Sequence, residues 1–279
     1  MYADDTTLLF SASDPTTLQR DMNYSLAKIA QWFENNQLTL NLKKTKFMVF
    51  GTNHSLKEFS NIDLNYGNHR IDRVDKFKYL GVVFDPILSW CDHTDYISSI
   101  ISKRIGVIRR VKFYLPSHIL KKLANALVFP HFDYCSSVWS NCNLEHSKSL
   151  QILQNKLARV LLSADIKTSV QDLMQALNWD TLHDRWTHQL LLLVFKCLRL
   201  DAPSYLSSHF TFTSTIHSKN TRSQVCNALV VPPWSNKPGK RTFQHRGATL
   251  WNSIPSDVRR SFNSMSVPVF KKMICATNL

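Results

Sequence analysis

Residues 2–10, YADDTTLLF, decide how the chain is read. Two adjacent carboxylates, Asp4 and Asp5, sit between a tyrosine–alanine pair and an apolar run from Thr6 to Phe10. β-Branched and aromatic residues suit a pleated, half-buried strand. The pattern therefore predicts the tip and second strand of a hairpin, the strand running from Thr6 to Ser11. Paired carboxylates on such a turn fit two-metal phosphoryl transfer, because Mg2+ takes oxygen ligands and usually only one or two protein carboxylates. Only Met1 stands where the first strand of that hairpin belongs. The bland alternative is a frayed, solvated end.

Outward from this stretch, Asp14-Pro15 is a helix start, an N-cap with proline at the first helical position. Leu18, Met22, Leu26, Ile29 and Phe33 then mark one face of an amphipathic helix. LTLNLKKTKFMVFG predicts a polar turn and a short strand ending at Gly51, and NIDLNYGNHRIDRV a hairpin turning at Gly67-Asn68. FKYLGVVFD reads as one more buried strand. Past Trp90 the pattern becomes helical: Ile97, Ile100, Ile101, Ile105 and Ile108 form a stripe, and Pro116-Ser117 opens a helix through Leu120, Leu123 and Leu127. LQILQNKLARVLL and WTHQLLLLVFKCLRL are two further helices. Asp201 to His245 is irregular, and a last helical patch spans GATLWNSIP and VPVFKKMI. The class expected is α+β, mostly helical.

With 279 residues, 44% apolar and 19% charged, the chain holds one large or two small domains with real cores. Six glycines suggest few tight turns and many helices. The first residues are polar and acidic where a signal peptide would be basic and then apolar. The longest apolar run, Leu190–Phe195, is too short to span a bilayer, so an intracellular location, nuclear or cytoplasmic, and no membrane partner are expected. The six cysteines show no paired spacing and read as free, mostly buried thiols.

The net charge of +14 is uneven: residues 141–279 carry 17 basic and 7 acidic groups. Between Tyr96 and Phe132 there are seven basic residues (Lys103, Arg104, Arg109, Arg110, Lys112, Lys121, Lys122) and no acid. Such imbalance favours a polyanion, nucleic acid before membrane, over a merely solvated face. His131, Cys135, Cys142 and His146 invite a metal reading, but their spacing lacks the two-pair zinc pattern and their aromatic neighbours point to core. Arg222, Trp234, Arg241, Arg246 and Trp251 either clamp RNA or anchor a loop to its own core, and the sequence leaves both open.

Several segments in fixed order, YADDTTLLF, WFENNQLTLNLKKTKFMVFG, KFKYLGVVFD, FPHFDYCSSVW, LQNKLARVLL and NTRS…LVVPP…GKRTFQHRGATLWNSIPSDVR, together resemble the reverse transcriptase of LINE-type (non-LTR) retrotransposons. The resemblance runs over essentially the whole chain. It implies a truncated palm over residues 1–88, a helical thumb over 89–165 and a basic C-terminal region over 166–279. Asp4 and Asp5 would be catalytic and hold two Mg2+ ions, with Tyr2 and Ala3 against the primer end. Lys44, beside Asn41, would protonate the departing pyrophosphate, although it also reads as a solvated turn lysine. Tyr79, Leu80 and Gly81 match the primer-grip hairpin. Lys103, Arg104, Arg109, Arg110 and Lys112 fall where a thumb grips an RNA–DNA hybrid by its phosphates. The implied partners are an RNA template, a DNA primer and deoxynucleoside triphosphates. A working palm also needs a third aspartate from an earlier strand, which this sequence does not supply, so the chain alone is expected to be inactive. The alternatives are a non-catalytic nucleic-acid-binding module and a decayed element fragment.

Overall fold

In the computed structural model, which describes residues 5–216 and 227–276, the first helix begins where the sequence says it should. Helix α1 (Pro15–Asn35) is capped by the Asp14 side chain, which accepts from the Thr17 N–H at 2.8 Å. That bond holds the Asp14 carboxyl below its usual range. The helix ends in a Schellman motif: Gln37 turns left-handed (φ 54°), Leu38 N–H reaches Phe33 C=O, and Gln37 N–H reaches Glu34 C=O. The chain divides into two units, residues 1–96 and 97–279.

The first unit holds three two-stranded pairings and a small core. Strand β1 (Lys46–Phe47) is followed by helix α2 (Asn53–Glu58), then by β2 (Asn65–Tyr66), β3 (His69–Arg70), β4 (Asp72–Arg73), β5 (Phe77–Tyr79) and β6 (Val82–Phe84). β1 lies parallel to β4, whereas β2–β3 and β5–β6 are antiparallel hairpins. The first hairpin turns at Gly67 (φ 57°), as predicted. Leu18, Phe59, Ile62, Leu64 and Ile71 are buried together, with Phe10, Met22, Leu26 and Val49 packed around them.

Two expectations fail here. Thr6 to Ser11 is not a strand: Leu8 and Leu9 are exposed, and no described strand pairs with the segment. An extended run becomes a strand only when a neighbour takes its backbone hydrogen bonds. FKYLGVVFD is also not one strand. It folds back at Leu80 (φ 44°) and Gly81 (φ 82°), two successive positive-φ residues as in a type I′ turn.

The second unit is helical. Helix α3 (Cys91–Val111), which crosses the division, is followed by α4 (Ser117–Leu127), α5 (Phe129–Asp133), α6 (Ser136–Trp139), α7 (Leu144–Leu162), α8 (Val170–Leu177) and α9 (Leu182–Leu198). Then come α10 (Ser204–Ser207), α11 (Lys237–Lys240), α12 (Phe243–Ser253), α13 (Ser256–Ser261) and α14 (Val267–Ala276), with short 3-10 turns at 213–215 and 262–264. The described chain is thus mostly helical, with 58% helix against 7% strand. Ile97, Ile101, Ile105 and Ile108 of α3 are all buried, so the predicted stripe faces the core. Further on, Leu191, Val194 and Phe195 of α9 meet Ala248, Trp251, Phe262, Phe270 and Ile274, and the Phe195 and Phe270 rings stack 4.1 Å apart. Gly247 lets α12 come close, since a Cβ there would meet Val194 Cγ2 at 2.8 Å. Among the described residues no helix is long and apolar enough to cross a membrane.

The five described cysteines form no disulfide with one another, but only Cys197 among them is buried, fewer than expected.

Candidate nucleic-acid interface

On α3 the isoleucine stripe fixes which side chains face outward. Lys103 and Arg110 are seven residues apart, so they lie in line about 10 Å from each other, opposite the stripe. Both are exposed, Arg109 is exposed on one flank, and Arg104 is half-buried on the other. Among the described residues none of the four pairs with a carboxylate. The helix ends in Lys112-Phe113-Tyr114, where Phe113 is 83% and Tyr114 84% exposed. Lys112 Nζ sits 5.2 Å from the Phe113 ring centroid. Two bare aromatic rings beside four unpaired cations are what a nucleic-acid strand can stack on and be held by. Sequence reasoning singled out the cations and missed the rings, because the exposure of FY in VKFYLPS follows only from where α3 stops.

Not every basic residue of the stretch is available. Lys112 Nζ donates to Ser163 Oγ at 3.2 Å, and Lys121 donates to the Leu177 carbonyl at the end of α8, a favourable place for a cation. These two tie α3 and α4 to the ends of α7 and α8, which narrows the free set to Lys103, Arg104, Arg109, Arg110 and the exposed Lys122.

In the first unit, Tyr2, Ala3 and Asp4 lie outside the described residues. Asp5 is exposed. Lys44 is also exposed, on a turn where its N–H donates to Asn41 Oδ1 at 3.2 Å. Tyr79 is half-buried at the end of β5, and Leu80 and Gly81 are presented at the hairpin tip. Among the described residues no group of three or more potential metal ligands includes Asp5. Below the hairpin, Asp85 is buried and holds the following loop: it accepts from the N–H groups of Ile87, Ser89 and Trp90. His93 Nδ1 accepts from Val83 N–H at 3.3 Å, and burial, aided by the nearby Lys78 charge, lowers its pKa to about 4.

The residues left open between RNA clamp and anchor divide. Trp251 is fully buried and its Nε1 donates to Asn227 C=O at 2.8 Å. Arg246 donates to Ser137 C=O and to Ser140 Oγ at 3.0 Å, and burial pulls its pKa down. Both are anchors. Trp234 is 47% exposed and leans over Gly239, where a Cβ would meet its ring at 2.6 Å. Arg241 is half-buried, with its carbonyl accepting from Asn141 Nδ2 at 2.9 Å. Arg222 lies outside the described residues. His131, Cys135, Cys142 and His146 are not brought into one ligand set.

Comparison with protein-family models, with curated proteins and with solved structures finds no match to the chain.

Proposed function

We propose that the chain is the C-terminal part of an RNA-directed DNA polymerase of the non-LTR retrotransposon type, and that its own residues grip the RNA–DNA hybrid. The observation that carries the reading is the outer face of α3, four cations without carboxylate partners running into two exposed rings. The order of segments resembling the family adds to it, as does the β5–β6 hairpin, whose turn carries the Leu80 and Gly81 of the segment that resembles a primer grip. In this reading Lys103, Arg104, Arg109 and Arg110 neutralise backbone phosphates, with no base readout. Phe113 and Tyr114 stack on unpaired bases. Nucleotide addition would use Mg2+ held by Asp4, Asp5 and a further aspartate from an earlier palm strand.

A non-catalytic binding module is the competing reading, favoured by the placement of the α3 surface in a different unit from Asp5 and Lys44. Two assays separate the readings. The purified 279-residue chain should bind a labelled RNA–DNA hybrid, bind less well after Arg109→Ala with Arg110→Ala, and be indifferent to Asp5→Asn. Primer extension should be absent for the chain alone and appear, sensitive to Asp5→Asn, when a polypeptide carrying the whole palm is supplied. Binding unaffected by the arginine pair would sink the proposed surface. Extension-inactive complete palms would leave only the binding module.

A further inference from the structure

In the second unit, three side chains of different chemistry converge. Asp180 directly precedes Thr181, whose Oγ1 caps α9, and the Asp180 carbonyl is held by Gln154 Nε2 at 2.9 Å. His188 stands two turns into α9, its side chain only 12% exposed. Cys275 lies in the last turn of α14, which is pinned by the buried Phe270 and Ile274. His188 Nδ1 is 3.5 Å from Asp180 Oδ2 and 3.7 Å from Cys275 Sγ, and one ligand atom from each residue lies within 4.8 Å of the others.

A hydrogen-bonded relay does not explain this arrangement. In a nucleophile–histidine–carboxylate chain the two partners sit on opposite ring nitrogens. Here both face the same one. Three donors around a common point are instead what a cation needs. With Zn–N and Zn–O near 2.0–2.1 Å and Zn–S near 2.3 Å, tetrahedral ligands are about 3.4–3.6 Å apart. The two distances to His188 already fall near that range, and a small shift of the exposed Asp180 would close the third.

We propose that Asp180, His188 and Cys275 form a zinc site, with Asp180 Oδ2, His188 Nδ1 and Cys275 Sγ as ligands and a water in the fourth position. Binding takes the proton from the Cys275 thiol to solvent, and thiolate and carboxylate together neutralise the dication within the set. The site joins the loop before α9 to the end of α14, so an occupied site staples the last helix to the core.

The test uses the full chain, freed of metal and titrated with Zn2+ by calorimetry and with Co2+ by absorption. One Zn2+ should bind per chain, and Co2+ should give a thiolate-to-metal charge-transfer band with the intense visible bands of tetrahedral coordination. Cys275→Ser, at an exposed position, should abolish the charge-transfer band and weaken Zn2+ by more than the ~10–100-fold that loss of a supporting group costs. His188→Gln should weaken Zn2+ comparably, Asp180→Asn less, and Cys142→Ser not at all, with helical circular dichroism retained in each. Absence of the band in the unmodified chain, or a band that survives Cys275→Ser and vanishes with Cys135→Ser or Cys142→Ser, overturns the site.

Discussion

His93 shows how one buried side chain ties the first unit's stability to pH. Its ring is 2% exposed, its Nδ1 accepts from the backbone of β6, and its pKa falls from 6.5 to about 4, by burial first and by the Lys78 charge second. Above about pH 6.5 the imidazole is neutral in both folded and unfolded chains. As pH falls toward about 4, the unfolded chain takes up a proton that the folded chain refuses. The stabilisation is therefore complete above the unfolded value and is lost through that window. One pKa unit corresponds to about 1.4 kcal/mol, and after allowance for solvent screening the loss should be roughly 2 kcal/mol. The check is the urea midpoint followed across the window for the unmodified chain and for His93→Gln, whose amide oxygen can still accept from Val83. The variant should lack this component of the acid sensitivity, and parallel curves for the two proteins would refute the assignment.

At the scale of the element, helix ends explain how a chain with six glycines makes so many reversals. Asn178 ends α8 and Leu200 follows α9, both left-handed at φ 50° and 60°, each inside the paired backbone bonds of a Schellman motif. Asparagine tolerates that region and leucine does not, so Leu200 carries strain of roughly 1–2 kcal/mol. Its side chain is 79% exposed and has little packing to lose. Leu200→Gly should raise stability by about 0.5–1 kcal/mol after the glycine's own entropy cost, and Asn178→Gly should leave it nearly unchanged, both read from thermal midpoints. An equal response from the two positions would argue against strain as the cause. The same ends mark what could be read from the sequence. α1 was legible because Asp14-Pro15 and a regular apolar spacing are local signals. The β5–β6 turn escaped pattern reading because leucine is not a turn residue, and only the family resemblance pointed to a hairpin there. Helix α8 went unread although Ser169 caps it and Leu173 and Leu177 are spaced for it, being too short to dominate its neighbourhood. The stretch from Thr6 was over-read, since strand formation depends on a partner that no local pattern reveals.

For the whole molecule the charge of +14 matters by its placement. The cations of the candidate interface were legible as an acid-free stretch, whereas Asp180, His188 and Cys275 are scattered in sequence and meet only through the packing of α9 against α14. If α3 grips phosphates, binding must release counterions, and log K should fall linearly with log salt, each contact adding about 0.7–0.9 to the slope. Replacing Arg109 and Arg110 by alanine should lower the slope by about that amount per arginine. Phe113 acts differently, since a stacked ring carries no charge. With an RNA–DNA hybrid bearing a single-stranded overhang, Phe113→Ala should weaken binding by about 1–3 kcal/mol at every salt concentration and leave the slope alone. Arg109, Arg110 and Phe113 are all exposed, so neither change should disturb the helices. A displaced line for the ring and a shallower line for the arginines identify stacking and phosphate contact as separate contributions. If the arginine variants leave the line where it was, the cations of α3 are a solvated surface, and the polyanion is held elsewhere on the chain.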